Sequence, residues 1–259
     1  EKPHRDGIGR ELCNQLIKSG AKVISVGKTT LMPNDSRLYN FKKDLSDLET
    51  WKQLAASTIN LYNRIDILVN CVGILKPGTF EKLNKSDIDN YIRNNLLSII
   101  YGAKTVLPFM KKQGNGHIIN VGSLGGIIPM PFETLYSTTK FAVRGFTLSL
   151  AEELRNAPVK VSLISPGSVL TRMLDIEAAD DNSFISFVSK ILSPQNVVKE
   201  IIKTIHRPKR EVLVPRISGI IAVLFNLFQN LFFYVFPILR LIGQRNQHLF
   251  RKKYLVADN

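Results

Sequence analysis

The segment Asp66-Ile67-Leu68-Val69-Asn70 is a short, mostly apolar run that stops just before Gly73. Similar runs recur along the first 215 residues, with helical stretches between them. They predict strands at 22–26, 37–41, 66–70, 117–121, 159–164 and 211–215. Apolar strands that alternate with helices are typical of a parallel sheet covered by helices on both faces. We therefore predict one doubly wound α/β domain over residues 1–216.

Composition narrows the class of protein. The 259 residues include 35 Lys and Arg against 21 Asp and Glu, a net charge of +14. This excess favours an anionic partner such as phosphate, nucleic acid or lipid headgroups. Basic and aromatic residues are not interleaved in the way that would indicate nucleic-acid binding. The cysteines, Cys13 and Cys71, and the scattered histidines lack metal-ligand spacing, so we expect neither a disulfide scaffold nor a metal site.

One constellation indicates carbonyl chemistry. Tyr136 and Lys140 are four residues apart, on one face of a predicted helix. A free phenol has a pKa of about 10, and a nearby cation lowers the pKa of a phenol. Ser123, at the end of a predicted strand, can donate a hydrogen bond to the same substrate oxygen. Together these hydroxyls suit a developing alkoxide.

In these residues the chain resembles the short-chain dehydrogenase/reductase family. Its motifs are Tyr136-x-x-x-Lys140, Ser123 thirteen residues upstream, Asn70-Cys71-Val72-Gly73, Asn95-Leu96-Leu97-Ser98 before Leu107-Pro108, and Pro166-Gly167-Ser168-Val169-Leu170-Thr171. They follow the family's order over residues 7–215. The resemblance implies a Rossmann-like fold and an oxidoreductase that acts on CH–OH groups with a nicotinamide cofactor.

The resemblance also implies catalytic roles. Tyr136 would be the general acid and base, and Lys140 would lower its pKa and bind the cofactor ribose. Ser123 would orient the carbonyl. Asn95 would hold a water of a proton relay; Asn94 is its rival, but the spacing to the following proline favours Asn95. Relatives pair through the helices that carry Asn95 and Tyr136, which implies a homodimer.

A wider set of residues is expected at the cofactor. It comprises Gly7, Ile8, Gly9, Lys28, Asp44, Asn70, Gly73, Tyr136, Lys140, Pro166, Gly167, Val169 and Thr171. Asn70 to Gly73 would line the adenosine side, Asp44 would approach the adenine, and Thr171 with the Pro166-Gly167 turn would hold the carboxamide.

Cofactor choice depends on the end of the strand at 22–26. Lys28 follows it, and no acid appears before Asp35. A basic residue here pairs with the extra phosphate of NADP, whereas an acidic one binds the ribose of NAD. We therefore predict NADP(H) and reduction in the cell. The alternative is that Lys28 is a surface lysine without a cofactor contact.

The chain departs from the family at its phosphate-binding turn. Only Gly7-Ile8-Gly9 remains of the glycine pattern, Pro3 stands where the first glycine belongs, and no strand precedes it. That strand lies mid-sheet, so its loss would leave a slot between neighbouring strands with unpaired backbone groups. Two explanations follow: a chain that begins late, or a natural form with impaired cofactor binding. The complete set of later motifs favours the first.

The segment from 217 to 239 is almost wholly apolar and has basic residues on both sides. It is long enough to span a bilayer as one helix. Asn226, Gln229 and Asn230 share one helical face, which also suits an interfacial helix or a hairpin. We expect residues 217–259 to be a membrane-associating tail. The alternative is a lid over the substrate pocket that also forms an oligomer interface.

Membrane-bound members of the family reduce lipophilic carbonyls such as 3-ketosphinganine, acyl-dihydroxyacetone phosphate, retinaldehyde and ketosteroids. By resemblance we expect an NADPH-dependent reductase of a lipophilic ketone or aldehyde, at the endoplasmic reticulum or lipid droplets, with a cytosolic catalytic domain. The apolar stretch 173–192, with Ile176, Phe184, Ile185 and Phe187, would form the substrate loop. A catalytically silent membrane adaptor is the alternative.

Overall fold

The computed structural model describes residues 7–27 and 35–255. Its strands are β1 (Val23–Gly27), β2 (Leu38–Lys42), β3 (Ile67–Asn70), β4 (Gly116–Val121), β5 (Val159–Pro166) and β6 (Glu211–Val214). Its helices are α1 (Ile8–Lys18), α2 (Leu48–Tyr62), α3 (Lys85–Tyr91), α4 (Ser98–Lys112), α5 (Thr134–Glu153), α6 (Arg172–Ala179), α7 (Pro194–His206), α8 (Arg216–Leu227) and α9 (Gln229–Tyr254). The predicted parallel α/β fold is confirmed.

The described strands form two parallel groups. β1 pairs with β2, and β3, β4, β5 and β6 pair in that order. A cavity of about 1260 Å³ lies between the groups, lined by residues 23–26 of β1 and 67–70 of β3. The expected slot between neighbouring strands is therefore present in the described structure.

Helices cover both faces of the sheet. On one face α1 and α7 bury Leu12, Val197 and Ile201 against β4 and β5. On the other face α2 and α4 bury Ala55 and Met110 against the same two strands. Every residue of β4 is buried, as expected for a central strand of a parallel sheet. The core therefore holds the carboxyl ends of β4 and β5 in fixed positions.

A wide turn interrupts the helical stretch between β3 and β4. α3 begins at Lys85, because Asn84 and Asp87 form a capping box. A π-helical turn over Ile92–Leu97 then joins α3 to α4. Such turns insert extra backbone into a helix and frequently occur at functional sites. This one contains both candidate asparagines.

The predicted substrate loop at 173–192 is largely helical. α6 occupies its first part, and a short 3₁₀ helix spans Phe184–Phe187. Phe184 and Phe187 are each 1% exposed. Their rings lie 5.5 Å from Phe236 and 5.3 Å from Phe250, both on α9. These two phenylalanines therefore belong to the core, whereas a substrate role was expected.

The apolar tail is broken into two helices. α8 ends at Leu227, and Phe228, with φ −111° and ψ 65°, separates it from α9. The rings of Phe225 and Phe232 meet across this break, 5.8 Å apart. The alternative of one continuous helix from 217 to 239 is therefore wrong. The division of the chain into units at residue 216 stays a prediction.

Among residues 7–27 and 35–255, no helix is both long enough and apolar enough to cross a bilayer.

Close packing fixes α9 to the domain at Gly243. A Cβ atom there would collide with the carbonyl of Phe184. We predict that Gly243→Ala lowers the free energy of unfolding by about 1–3 kcal/mol, because overpacking forces backbone shifts. Gly145→Ala, in α5, is the matched control, since nothing lies within 4 Å of its Cβ position. It should stabilise the chain by about 0.5–1 kcal/mol. Urea denaturation measures both; equal effects would contradict the proposed contact.

Candidate active site

A second cavity, of about 190 Å³, opens at the carboxyl ends of β4 and β5. Its lining includes the residues expected to carry the chemistry. They are Gly73, Ser123, Tyr136, Lys140, Pro166, Gly167, Val169 and Thr171. Ligands of open parallel sheets bind beyond the carboxyl ends of the strands. The structure thus gathers residues that are up to 98 positions apart in sequence, from 73 to 171, around one cavity.

Tyr136 and Ser123 face each other across this cavity. α5 begins at Thr134, so Tyr136 lies in its first turn. Ser123 follows β4 directly, and its Oγ accepts a hydrogen bond from the backbone N–H of Gly125 at 3.0 Å. The Ser123 side chain is also hydrogen-bonded to the Tyr136 phenol, and this bond lowers the pKa of the phenol. The two hydroxyls therefore form the expected donor pair.

Burial determines the protonation of the pair Tyr136 and Lys140. Loss of solvent raises the pKa of the phenol, and this outweighs the effect of Ser123. Burial also lowers the pKa of Lys140 to about 8. Its Nζ lies 5.7 Å from the phenol ring centroid and donates to the carbonyl of Val121 at 3.1 Å. The expectation that Lys140 lowers the pKa of Tyr136 is not met, because desolvation dominates both groups. The phenol stays protonated at neutral pH.

Asn95 connects three segments of the site. Its Oδ1 accepts from the N–H of Ile74 at 2.7 Å, and its Nδ2 donates to the Ile74 carbonyl at 3.0 Å and to Thr139 Oγ1 at 3.2 Å. A Cβ atom on Gly73 would lie 3.8 Å from this Oδ1. The rival, Asn94, donates to Asn90 of its own helix. The structure therefore places Asn95, rather than Asn94, at the site.

Asn70 lines the larger cavity and is bound within the sheet. Its Nδ2 donates to Asn120 Oδ1 at 2.9 Å, and Asn120 donates in turn to Thr147 at 2.9 Å. Asn70 is 4% exposed. Its amide thus ties β3 to β4 and α5, and its role at the cofactor stays a prediction.

The glycines Gly7 and Gly9 lie at the N-terminal end of α1. Both line the larger cavity, and Ile8 lines the smaller one. Among the described residues, nothing lies within 4 Å of a Cβ atom built on either glycine. Helix N-termini attract phosphate through free N–H groups and the helix dipole. Cys71, which lines both cavities, receives a hydrogen bond from the Gly9 backbone.

The turn after β5 forms the far wall of the smaller cavity. The N–H of Gly167 donates to the Val214 carbonyl at 2.7 Å. Thr171 precedes α6, and its hydroxyl donates to the carbonyl of Val169 at 3.3 Å. These bonds fix the Pro166–Thr171 segment beside the donor pair.

Asp44 caps the turn that follows it. The Asp44 carboxylate is exposed and accepts from the N–H of Ser46 at 2.9 Å. Its neighbour Leu45 lines the larger cavity, and Asp44 is not among the described residues that do. A role for Asp44 at the adenine stays a prediction. Lys28 lies outside the described residues.

Sequence reasoning missed two buried carboxyl groups. Glu177, on α6, lines the smaller cavity, and Glu133 precedes α5. They are 8% and 2% exposed, and both raise the pKa of Tyr136. A sequence signal existed for Glu133, which stands three residues before the tyrosine. Nothing comparable marks Glu177, whose burial depends on tertiary packing.

The family follows from comparison with known proteins. The model of the short chain dehydrogenase family matches residues 4–182, and the chain belongs to this family. An uncharacterized oxidoreductase of Staphylococcus saprophyticus is 29% identical over 214 residues, 78% of this chain and 87% of that protein. A 3-ketodihydrosphingosine reductase of Bacteroides thetaiotaomicron is 28% identical over 169 residues, 65% of this chain and 62% of the reductase.

A solved structure shares the fold. The structure of ElxO with NADP bound aligns with a TM-score of 0.71 at 22% identity, covering 84% of this chain and 97% of ElxO. In this chain the two cavities share Cys71 and Val72. Gly7 and Gly9, at the N-terminal end of α1, line the larger cavity, and the hydroxyl pair lines the smaller one. The donors of the smaller cavity, Ser123, Tyr136 and Lys140, fit the nicotinamide and ribose end of such a cofactor.

We predict that Tyr136→Phe reduces kcat by about 10²–10⁴-fold, because it removes the proton donor. Cofactor affinity should change little, since the ring and its packing are retained. Tyr39→Phe, at an exposed position on β2, is the matched control and should keep full turnover. Initial rates and calorimetric cofactor titrations separate the two effects. Wild-type turnover in Tyr136→Phe would contradict the assigned role.

Proposed function

We propose that this oxidoreductase uses NADPH to reduce a lipophilic ketone or aldehyde. The observation that carries the proposal is the buried, protonated Tyr136 phenol beside the Ser123 hydroxyl. An acid that keeps its proton at neutral pH suits the reductive direction, in which the substrate oxygen must receive one. The nicotinamide supplies the hydride, which no side chain can provide.

The side chains divide the remaining work. Ser123 and Tyr136 donate hydrogen bonds to the carbonyl oxygen and stabilise its developing charge. Tyr136 transfers its proton to that oxygen. Lys140, fixed by the Val121 carbonyl, holds a positive charge near the phenol below about pH 8. Asn95 holds the loop after β3 in place beside them.

Preference for NADP over NAD is proposed from Lys28. Its position after β1 is where a basic side chain can pair with the additional phosphate. The phosphates themselves would lie at the N-terminus of α1.

The lipophilic substrate is proposed from the walls of the smaller cavity. Its apolar lining includes Leu124, Ile128, Met130, Met173, Leu174 and Ile185. A volume of about 190 Å³ accommodates only the reactive end of a long substrate. The similar reductase of Bacteroides thetaiotaomicron is named for a keto compound, which agrees with a ketone substrate.

We propose that α8 and α9 lie in the interface of an anionic membrane. Many of their large apolar side chains are exposed, among them Ile217, Leu224, Leu227, Phe233, Tyr234, Ile238 and Leu241. Exposed basic side chains accompany them at Arg216, Arg240, Arg245, Lys252 and Lys253. An apolar surface with basic neighbours suits anionic headgroups. We further propose that the protein is located at the endoplasmic reticulum or at lipid droplets, with its catalytic domain in the cytosol. We also propose that it forms a homodimer.

We predict that the chain oxidises NADPH in the presence of undecan-2-one and much more slowly with acetone. Each buried CH₂ group contributes about 0.8 kcal/mol, so kcat/KM should differ by at least about tenfold.

NADH should be the poorer cofactor, and Lys28→Asp should narrow or reverse that preference. Initial rates at 340 nm, with calorimetry for cofactor binding, test both points. Absence of NADPH binding would favour the silent adaptor and overturn the reductase.

We also predict that the full chain sediments with vesicles containing phosphatidylglycerol and less with pure phosphatidylcholine. Salt should weaken this binding, because screening reduces attraction to the headgroups. The double variant Leu227→Glu/Phe233→Glu places charges where the exposed fractions are 71% and 74%, and should bind several-fold more weakly. Leu61→Glu, on α2 and 42% exposed, is the matched control. Failure of the wild type to sediment would contradict membrane docking.

A further inference from the structure

The N-terminal turn of α1 lies where the two cavities meet. The cavities share Cys71 and Val72. Ile8 lines the smaller cavity and Gly9 lines the larger one, and the Gly9 backbone donates a hydrogen bond to Cys71. The positive end of the α1 dipole is therefore directed at this junction.

The N-terminal turn of α6 lies at the same junction. Thr171 and Met173 line the smaller cavity, whereas Arg172, between them in the sequence, lines the larger one. The Thr171 hydroxyl donates to the carbonyl of Val169 and makes no cap hydrogen bond to the helix. The first turn of α6 thus keeps backbone N–H groups available to an acceptor. A guanidinium and two helix N-termini therefore border the place where the cavities meet.

The positive charges on the larger cavity differ in position and in partners. Within the described part of the chain, the basic residues that line this cavity are Arg10, Lys22, Arg64 and Arg172. Lys22 and Arg64 precede β1 and β3, so both lie at the amino ends of the strands, and Arg64 pairs with Asp66 at 2.9 Å. Arg10 and Arg172 lie in the first turns of α1 and α6. Among residues 7–27 and 35–255, the exposed guanidinium of Arg172 has neither an ion pair nor a hydrogen bond.

The order of groups along a nicotinamide dinucleotide determines which group reaches this junction. Ser123, Tyr136 and Lys140 fit the nicotinamide and its ribose in the smaller cavity. The next group along the molecule is the anionic pyrophosphate. Asp175, one turn after Arg172, also lines the larger cavity and would repel an anion. The favourable position for the pyrophosphate is therefore at the start of α6, beside the Arg172 guanidinium.

We propose that the guanidinium of Arg172 binds the pyrophosphate of the cofactor, together with the N-terminal turns of α1 and α6. This inference rests on the proposed use of a nicotinamide dinucleotide. A guanidinium forms paired, charge-assisted hydrogen bonds with phosphate oxygens, and helix N-termini favour the same negative charge. Because the pyrophosphate is common to NADPH and NADH, Arg172 contributes to the affinity for both. Lys28, in contrast, would affect the preference between them.

The test measures the dissociation constants of NADPH and NADH by calorimetry with the full chain. Arg172→Gln should weaken the binding of both cofactors by at least about tenfold, because it removes charge-assisted hydrogen bonds. The ratio of the two constants should stay that of the wild type. Arg172→Lys keeps the charge without the planar fork and should lose less affinity. Arg207→Gln is the matched control, since Arg207 is also exposed but lies at the end of α7, before β6.

A kinetic measurement separates cofactor binding from a structural role. With undecan-2-one as substrate, Arg172→Gln should raise the KM for NADPH more than it lowers kcat. Wild-type affinity for both cofactors in Arg172→Gln, or an equal loss in Arg207→Gln, would overturn the proposal. A loss confined to NADPH would assign Arg172 to the additional phosphate of NADP, and would also overturn it. If the wild type binds neither cofactor, the proposed function itself fails, and the Arg172 site with it.

Discussion

The site depends on the buried amide of Asn95. Through Ile74 and Thr139 it joins the π turn between α3 and α4, the loop after β3, and the helix that carries Tyr136 and Lys140. Asn95 is fully buried, so each of these bonds is made away from water. Losing a partner there would leave polar backbone groups unsatisfied, at about 1–3 kcal/mol each. One side chain thus fixes the relative positions of the segments that meet at the cavity.

The burial that fixes the positions of the side chains in the site also determines their protonation states. Tyr136, Lys140 and Glu177 are all moved toward their neutral forms by loss of solvent. A phenol that keeps its proton, a carboxyl that resists ionisation and a lysine that titrates near pH 8 leave the charge of Lys140 as the main charge of these three groups at neutral pH. Each charge brought by a ligand therefore has a large influence on its neighbours. The charges of the bound cofactor and substrate would therefore contribute much of the electrostatic potential in the occupied site.

Much of this architecture was predictable from sequence, because apolar strands and the spacing of Ser123, Tyr136 and Lys140 are local signals with a shared geometric meaning. Other features depend on tertiary packing. Desolvation raises the pKa of the Tyr136 phenol, whereas the sequence led us to expect a lowered value. The apolar run from 217 does not reveal the break at Phe228. The partnership of Glu133 and Glu177 joins residues 44 positions apart and has no sequence period. Local sequence patterns predicted the strands and the spacing of the catalytic residues. Burial by residues distant in the sequence determines the pKa values of the site.

The short 3₁₀ helix at Phe184–Phe187 has two sides with different neighbours. Ile185 and Ser186 face the smaller cavity, whereas Phe184 and Phe187 are buried against the aromatic rings of α9. The wall of the smaller cavity is therefore packed directly against α9. A surface that binds and shifts α9 would therefore change the shape of the smaller cavity. The catalytic rate would then depend on the surface to which the molecule is bound.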